Sequence, residues 1–391
     1  MGKKLHYQYV LLQCSYYAVS ACFIGYMVPV LQKQGFNHSQ IGLFLGLRAL
    51  FSVFFQPVIA NLMEKFQAKI YFNHLIAVMV VMSMLMTGVQ LLQPNFFGTA
   101  LVFIVYGIFT FGMISFIDAM STLYFYKGKK IDYPVARGAG SLSYAISALL
   151  IGSLVEANTI LTAQFFLFIP LLICILSIEK IKGMEIKHDP NQPRVSFGIM
   201  VKEYPLFKIF LVAVIFSFIG KELSANFLID VYRSLGGDNQ SYGIGTFLLA
   251  ASEVPAAILF TKLSDRLGIY RLMLLSFFFA FLRIFLITLA PSILFLNIAQ
   301  VLQMFGNGLF WAGNIQFIRT ILPAKYAVKA QAAVGVCYLG IGSGIGSPLS
   351  GVILELTNLK SLLFVASLLA FIGVVVLAFG KKYTKAQAIS N

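Results

Sequence analysis

Charged side chains are scarce in this chain: they make up 11% of its 391 residues, while 59% of the residues are hydrophobic. An ordinary soluble domain carries about 25% charged residues, so the composition excludes that class. Cysteine is also scarce. The four cysteines lie in apolar runs without paired spacing, which predicts neither a disulfide framework nor a metal site. The first apolar run lacks a small-residue cleavage site, so it predicts a retained helix and not a signal peptide.

Long apolar runs fill most of the sequence. A run of about 20 apolar residues can cross a membrane as a helix. The predicted spans are residues 8–32, 40–62, 69–92, 95–120, 134–156, 160–179, 206–231, 241–263, 270–290, 292–318, 327–355 and 359–380. The sequence therefore predicts an all-α membrane protein with twelve transmembrane helices.

One long polar segment, residues 181–204, separates the first six predicted spans from the last six. It combines charged side chains with Pro190 and Pro193, a composition typical of a linker. We therefore predict an N-terminal six-helix bundle over residues 1–180, a cytoplasmic linker over 181–204, and a C-terminal six-helix bundle over 205–391.

The net charge of +15 raises the question of a nucleic-acid partner, but the placement of the charges argues against one. With the N-terminus inside, most Lys and Arg residues fall on predicted cytoplasmic segments, and the opposite side keeps only Lys33, Arg233 and Lys360. This bias is typical of multi-pass membrane proteins. It predicts a plasma-membrane protein with both termini in the cytoplasm.

Two opposite charges stand inside predicted spans of the first half. Asp118 closes one apolar run, and Arg137 opens the next, followed on the same helical face by Ser141 and Tyr144. Ionisable groups within a membrane usually face the bundle interior and mark a substrate or ion path. A guanidinium, a hydroxyl and an aromatic ring on one stripe can hold a polyhydroxylated ligand. The alternative is a structural ion pair that ties two helices together.

Buried charge is more frequent in the second half. The residues concerned are Lys221, Glu222 and Asn226 on helix seven, Glu253 on helix eight and Arg283 on helix nine. Acidic and basic residues recur after helices two and eight, at 63–69 and 264–271, which indicates a parallel internal repeat.

Six plus six spans with Asp265-Arg266-Leu267-Gly268-Ile269-Tyr270-Arg271 after helix eight resemble the major facilitator superfamily. The segment 50–57 (Leu-Phe-Ser-Val-Phe-Phe-Gln-Pro) is similar to a helix-two motif of its lactose permease branch, the oligosaccharide–proton symporters. Ile117-Asp118-Ala119 and Ala136-Arg137 resemble the segments that carry that branch's sugar-binding carboxylate and its partner arginine. Tyr144 falls where the branch has a sugar-stacking tryptophan. The resemblance further implies that Glu253 and Arg283 link sugar binding to proton release.

The chain departs from that branch on helix ten. Gln303 stands in place of its histidine and Gly306 in place of its glutamate. Lys221 lies near a family aspartate, and Arg48 matches no family residue. The residue pattern and the resemblance together give these substrate-binding candidates: Asp118, Arg137, Ser141, Tyr144, Asn226, Glu253 and Gln303.

Proton symport requires a buried carboxylate that a cation approaches in one conformation. Glu253 with Arg283 is our first choice for this role. Glu222 and Lys221 are further coupling candidates, although neighbours in sequence point about 100° apart on a helix and need not pair.

The leading hypothesis is proton-coupled uptake of a mono- or disaccharide or a glycoside. The predicted spans contain four cations and three carboxylates, which leaves an excess of one positive charge. An organic anion, such as an aryl acid or a sugar acid, would cancel it and is the alternative substrate. An uncoupled facilitator, drug efflux and a non-transporting membrane sensor stay as alternatives, and no pattern indicates an enzyme. The expected partners are a small-molecule substrate, a proton and the lipid bilayer, with no cofactor and a monomeric chain.

Overall fold

The computed structural model describes residues 2–66, 70–129, 131–154, 157–182, 197–323 and 326–383. This part of the chain is almost entirely helical, apart from an isolated antiparallel bridge between Tyr71 and Lys182. The all-α fold class is therefore confirmed. The predicted linker and the first copy of the repeat, 63–69, lie partly outside the described residues.

The chain divides into two compact units. The first comprises Met1–Lys187 with Asp238–Phe247, and the second comprises His188–Gly237 with Leu248–Asn391. The predicted bundle boundaries stay a prediction, since the polar segment 183–196 is not described.

Eight α-helices make up most of the first unit. They are α1 (Gly2–Ser20), α2 (Met27–Lys33), α3 (His38–Phe66), α4 (Phe72–Leu91), α5 (Phe96–Tyr106), α6 (Gly112–Tyr126), α7 (Tyr133–Gly152) and α8 (Ala157–Ser177). Helix α1 packs along α7 and α8, α4 packs against α8, and α3 packs against α5. The remaining helices are α9 (Phe197–Glu203), α10 (Pro205–Asn226), α11 (Leu228–Ser234), α12 (Asn239–Leu267), α13 (Ile269–Leu289), α14 (Ile293–Val301), α15 (Asn307–Ile321), α16 (Ala327–Gly335), α17 (Gly344–Leu356) and α18 (Leu359–Phe379). In the second unit α18 packs against α10 and α13.

Among the described residues, nine helices are long and apolar enough to cross a membrane. The number is ten if Lys4–Gly25 and Met27–Lys33, which meet at 45°, form one span. Of the remaining predicted spans, 206–231 is divided at Phe227 between α10 and α11, and 241–263 lies within α12. The count of twelve membrane-crossing helices stays a prediction.

Several predicted spans are interrupted and not continuous helices, which corrects the sequence-based expectation. π-Helical segments at Ala21–Gly25, Gly107–Phe111 and Val336–Ser343 lie inside the first, fourth and eleventh predicted spans. The tenth span breaks into α14, a 3₁₀ turn at Leu302–Met304 and α15. Apolar periodicity does not reveal such breaks, because one displaced backbone hydrogen bond leaves the composition unchanged.

Polar side chains at loop ends fix where the helices begin. Asn95 Oδ1 accepts from Gly98 N at 3.0 Å, and Asp132 Oδ1 accepts from Val135 N at 3.2 Å just before Pro134 in the first turn of α7. The Asp238 carboxylate accepts from the backbone N–H and the hydroxyl of Ser241, and these bonds hold the pKa of that carboxyl below its ordinary value. Each such bond satisfies an otherwise unpaired helix donor.

Glycines permit close helix contacts in the second unit. A Cβ at Gly342 would lie 2.8 Å from Phe218 Cβ, and one at Gly346 would lie 3.0 Å from Glu222 Cβ. Small residues four apart allow two helices to approach closely. The glycine-rich eleventh span therefore packs against α10.

Candidate substrate-binding site

Asp118 lies on α6 at the centre of a polar cluster in the first unit. Its Oδ1 accepts a hydrogen bond of 2.9 Å from Gln13 Nε2, on α1. The same Nε2 donates to the Tyr9 hydroxyl at 3.0 Å, and that hydroxyl donates to the Ile117 carbonyl at 3.0 Å. Tyr9 and Gln13 are both fully buried. The intramembrane carboxylate is thus held by neutral groups on a neighbouring helix.

Arg137 is positioned by one contact on its own helix, α7, and one on α1. Its Nη1 donates to Ser141 Oγ at 3.0 Å, as the i, i+4 spacing predicted. Its guanidinium carbon lies 4.4 Å from the centre of the Tyr17 ring, within the range of a cation–π contact. The Tyr17 ring in turn packs on Gly140, where a Cβ would come within 2.5 Å of Tyr17 Cδ2.

Tyr133 brings Asp118 and Arg137 into one electrostatic cluster. Its side chain lies close enough to interact electrostatically with both residues, and Arg137 interacts with Asp118 in the same way. The direct partner of Asp118 Oδ1 is Gln13, so an opening and closing Asp118–Arg137 charge pair stays a prediction.

A cavity of about 540 Å³ opens beside this cluster. It is lined by Ser115, Asp118, Ala119, Ser121, Thr122, Phe125 and Tyr133. Sites for small molecules usually have volumes of about 300–1,000 Å³ and a few convergent polar groups. The cavity combines one carboxylate and four hydroxyls with an aromatic ring, which suits a small hydroxylated molecule.

Tyr144 lies further along α7 than this cavity. Its hydroxyl would be 3.5 Å from a Cβ built on Gly25, which places it beside the π-helical segment Ala21–Gly25. The aromatic ring in contact with Arg137 is that of Tyr17, and a stacking role for Tyr144 stays a prediction.

In the second unit, Glu253 and Arg283 each have a glutamine as a direct partner. Gln303 Nε2 donates to Glu253 Oε1 at 2.8 Å, and Arg283 Nη1 donates to Gln300 Oε1 at 3.1 Å. Arg283 is only 3% exposed, and Glu253 lies near enough to interact with it electrostatically. The predicted switching pair is therefore close in space, while neutral amides make these direct hydrogen bonds.

Lys221 and Glu222 pair directly, with 3.3 Å between Nζ and Oε1. Adjacent positions on a helix need not pair, but these two long side chains bridge the angular offset. Asn226 Nδ2 donates to Ser350 Oγ at 3.3 Å, which joins α10 to α17.

Gly306 lies at the break in the tenth span, directly after the 3₁₀ turn that contains Gln303. A Cβ at this position would come within 3.2 Å of the Ala280 backbone, and Ser276 Oγ donates to the Gly306 carbonyl at 2.9 Å. Where the lactose permease branch carries a glutamate, this chain therefore uses a glycine for close contact between helices.

Arg48 joins the two π-helical segments of the first unit. Its Nη1 donates to the Phe23 carbonyl at 2.7 Å, and its guanidinium carbon lies 4.8 Å from the centre of the Phe111 ring. Phe23 belongs to Ala21–Gly25 and Phe111 to Gly107–Phe111. These contacts account for an intramembrane cation that matches no residue of the symporter branch.

Sequence reasoning missed Gln13, Tyr17, Tyr133 and Gln300 as members of these clusters. Gln13 lies four residues after Tyr9 and four before Tyr17, so one helical face carried the signal. A neutral side chain in an apolar run does not stand out by charge, so the sequence pattern alone does not single it out.

Known proteins resemble this chain over most of its length. Residues 6–366 match the MFS_1 like family. An uncharacterized transporter of Bacillus subtilis (strain 168), YwbF, is 23% identical over 334 residues, which cover 83% of this chain and 80% of that protein. A maltose permease of Geobacillus stearothermophilus is 24% identical over 247 residues, which cover 63% of this chain and 62% of the permease.

Solved structures show the same fold. The nucleoside transporter NupG, in the form of a point mutant, superposes with a TM-score of 0.83 at 14% identity, covering 96% of this chain and 99% of NupG. A bacterial homologue of the human lysosomal transporter Spinster has a TM-score of 0.66 at 13% identity, covering 99% of this chain and 96% of that homologue. At these identities the likeness establishes the fold.

Proposed function

This chain belongs to the MFS_1 like family of membrane transporters, and we propose that it takes up a sugar or glycoside by alternating access in symport with a proton. It is a multi-pass membrane protein that moves a small molecule. The substrate class, the coupling to protons, residence in the plasma membrane and the cytoplasmic termini are parts of the proposal.

The cavity beside Asp118 is the observation that carries the substrate class. A sugar ring offers several adjacent hydroxyls and one apolar face. The cavity supplies a carboxylate, hydroxyls from Ser115, Ser121 and Thr122, and the Phe125 ring. Arg137 lies close behind, where its guanidinium interacts with both Asp118 and Tyr133. Charge-assisted hydrogen bonds of this kind orient hydroxyl groups.

The names of two relatives support the same class. One is a maltose permease and another a nucleoside transporter. Maltose and nucleosides both contain a sugar ring with neighbouring hydroxyls. A sugar ring is therefore the group that we expect this chain to recognise.

Glu253 is the carboxylate that we propose for proton coupling. It is half-buried, accepts a hydrogen bond from Gln303 and interacts electrostatically with Arg283. A buried carboxylate exchanges a proton readily when a nearby cation changes its distance. Glu222 ranks below Glu253 for this role, because its charge is already neutralised by the salt bridge to Lys221.

A second candidate substrate is a small organic anion. The observation that favours it is the neutral Gln300 as the hydrogen-bond partner of the buried Arg283. An anionic ligand would supply a further countercharge at that cation, beyond the one that Glu253 provides. Uncoupled transport of a neutral sugar is the other alternative.

Uptake into proteoliposomes tests the proposal. Radiolabelled maltose, uridine and gluconate would be supplied with an acidic exterior, and again after addition of a protonophore. We expect maltose or uridine to accumulate, and the protonophore to abolish the accumulation. Uptake of gluconate alone would favour the organic anion, and sugar uptake that ignores the pH gradient would favour an uncoupled facilitator.

A further inference from the structure

The orientation of the Gln13 amide follows from the groups that surround it. The Tyr9 hydroxyl gives its proton to the Ile117 carbonyl, so toward Gln13 it can only accept. An ionised Asp118 likewise only accepts. Both neighbours therefore require the NH₂ end of the amide, and the two protons of Gln13 Nε2 are used by these two bonds.

The other end of the amide is left without a donor. Gln13 is fully buried, and within the described part of the chain no group donates to its Oε1. A buried acceptor without a donor costs free energy, which a donor arriving at that atom recovers. Gln13 Oε1 lies on the side chain that holds Asp118, and Asp118 lines the cavity.

Around Asp118 and Gln13 the site therefore offers hydrogen-bond acceptors to a ligand. The Asp118 carboxylate has lone pairs beyond the one used by Gln13, and Gln13 Oε1 adds a second acceptor on the adjoining side chain. Two neighbouring acceptors match two neighbouring donors. A carboxylate on the substrate would meet Asp118 with like charge.

We propose that Gln13 Oε1 and the Asp118 carboxylate form a paired acceptor that selects substrates with two adjacent hydroxyl groups. This inference rests on the proposed function, and it makes Gln13 a specificity-determining residue. Gln13 is fully buried and does not itself line the cavity, so the proposal requires that the cluster around Asp118 rearranges during transport and lets the substrate reach it.

A second buried glutamine provides a matched control. Gln164 is also fully buried with an Oε1 that lacks a donor among the described residues. Its Nε2 faces the hydroxyls of Thr87 and Tyr106, at 3.3 and 3.4 Å, and neither partner lines the cavity, whereas Asp118, the partner of Gln13, does. Replacing Gln164 therefore tests the loss of a buried amide away from Asp118.

The test compares Gln13→Met and Gln164→Met, since methionine keeps the unbranched shape without polar atoms. The probes are uridine against 2′-deoxyuridine, and maltose against maltose derivatives that lack one hydroxyl of an adjacent pair. Each analogue competes with its labelled parent for uptake into proteoliposomes. We expect the wild-type chain to bind the parent at least about tenfold more tightly than the analogue, because one lost hydrogen bond leaves a buried acceptor unsatisfied.

In Gln13→Met we expect the ratio of the affinities for parent and analogue to fall close to one. The parent should bind more weakly, and the binding of the analogue should change little. Gln164→Met should keep the wild-type preference. An unchanged preference in Gln13→Met, or an equal loss of parent and analogue, would overturn the paired acceptor. If Gln13→Met does not fold, a wild-type chain that binds parent and analogue equally overturns it.

The results distinguish a failure of the proposed sugar transport from a failure of the paired acceptor. Uptake of gluconate without maltose or uridine contradicts sugar transport, and the paired acceptor falls with it. Uptake of maltose or uridine with no discrimination against the analogue leaves sugar transport intact and overturns the paired acceptor alone.

Discussion

Single residues in the cluster around Asp118 are held by partners that fix their geometry. Arg137 donates to Ser141 and lies over the Tyr17 ring, so its planar group has a defined orientation. Planarity matters here because a guanidinium both stacks and donates along fixed directions, whereas an ammonium is a compact point charge. Arg137 therefore contributes shape as well as charge.

Arg137→Lys should lower the affinity for the proposed sugar substrate at least about tenfold. The ammonium cannot keep the contacts with Tyr17 and Ser141 and also bind the substrate. Competition binding on purified protein measures the change. Arg319→Lys, at an exposed position on α15, is the matched control and should leave the affinity unchanged. Near-normal affinity in Arg137→Lys would remove this residue from the site.

Glu253→Gln should abolish accumulation against a gradient while sparing equilibrium exchange. The amide keeps an oxygen that can accept from Gln303 but carries no exchangeable acidic proton. Counterflow and gradient-driven uptake in the same vesicles separate the two activities. Glu355→Gln, an exposed carboxylate on α17, serves as control. Gradient-driven uptake by Glu253→Gln would assign the coupling role elsewhere.

At the level of helices, the contact between α1 and α7 depends on Gly140. A methyl group here would come within 2.5 Å of the Tyr17 ring, on the face of α7 that also carries Arg137. Gly138, two residues earlier on α7, has nothing within 4 Å of a built Cβ. The same substitution at the two sites therefore separates helix packing from backbone entropy.

Gly140→Ala should destabilise the protein by about 1–3 kcal/mol, as overpacking does in a well-packed interior. Gly138→Ala should be neutral or stabilise it by up to about 1 kcal/mol, because alanine is the better helix former. Unfolding of the purified variants in one detergent compares them. Equal stability of the two variants would show that Tyr17 moves aside freely.

The sequence predicted where most of the helices lie, but it did not predict where they are interrupted. The positions of Asp118 and Arg137 within apolar runs pointed to the cluster, because intramembrane charge is costly and rare. The neutral Gln13 and the break near Gly306 were not predicted, since neither changes the apolar pattern. Their effects depend on which neighbouring helix lies opposite, and only the folded chain defines that.

For the whole molecule, the distribution of basic residues predicts its orientation in the membrane. Lys382, at the C-terminal end of the chain, should face the cytoplasm, and Lys33, at the end of α2, should face the other side. In a background with the four native cysteines replaced, Lys382→Cys should react with an impermeant maleimide only from inside, and Lys33→Cys only from outside. The reverse pattern would invert the topology.

The π-helical segments affect how residues of this chain correspond to those of its relatives. Each π turn closes over five residues where an α turn closes over four, so it accommodates an inserted residue without a loop. A relative with a regular α-helix at Gly107–Phe111 needs an alignment gap inside the membrane. Without that gap every position beyond it, Asp118 included, is matched to a neighbour about 100° around the helix. Assigning equivalent site residues across the family therefore requires gaps within helices as well as between them.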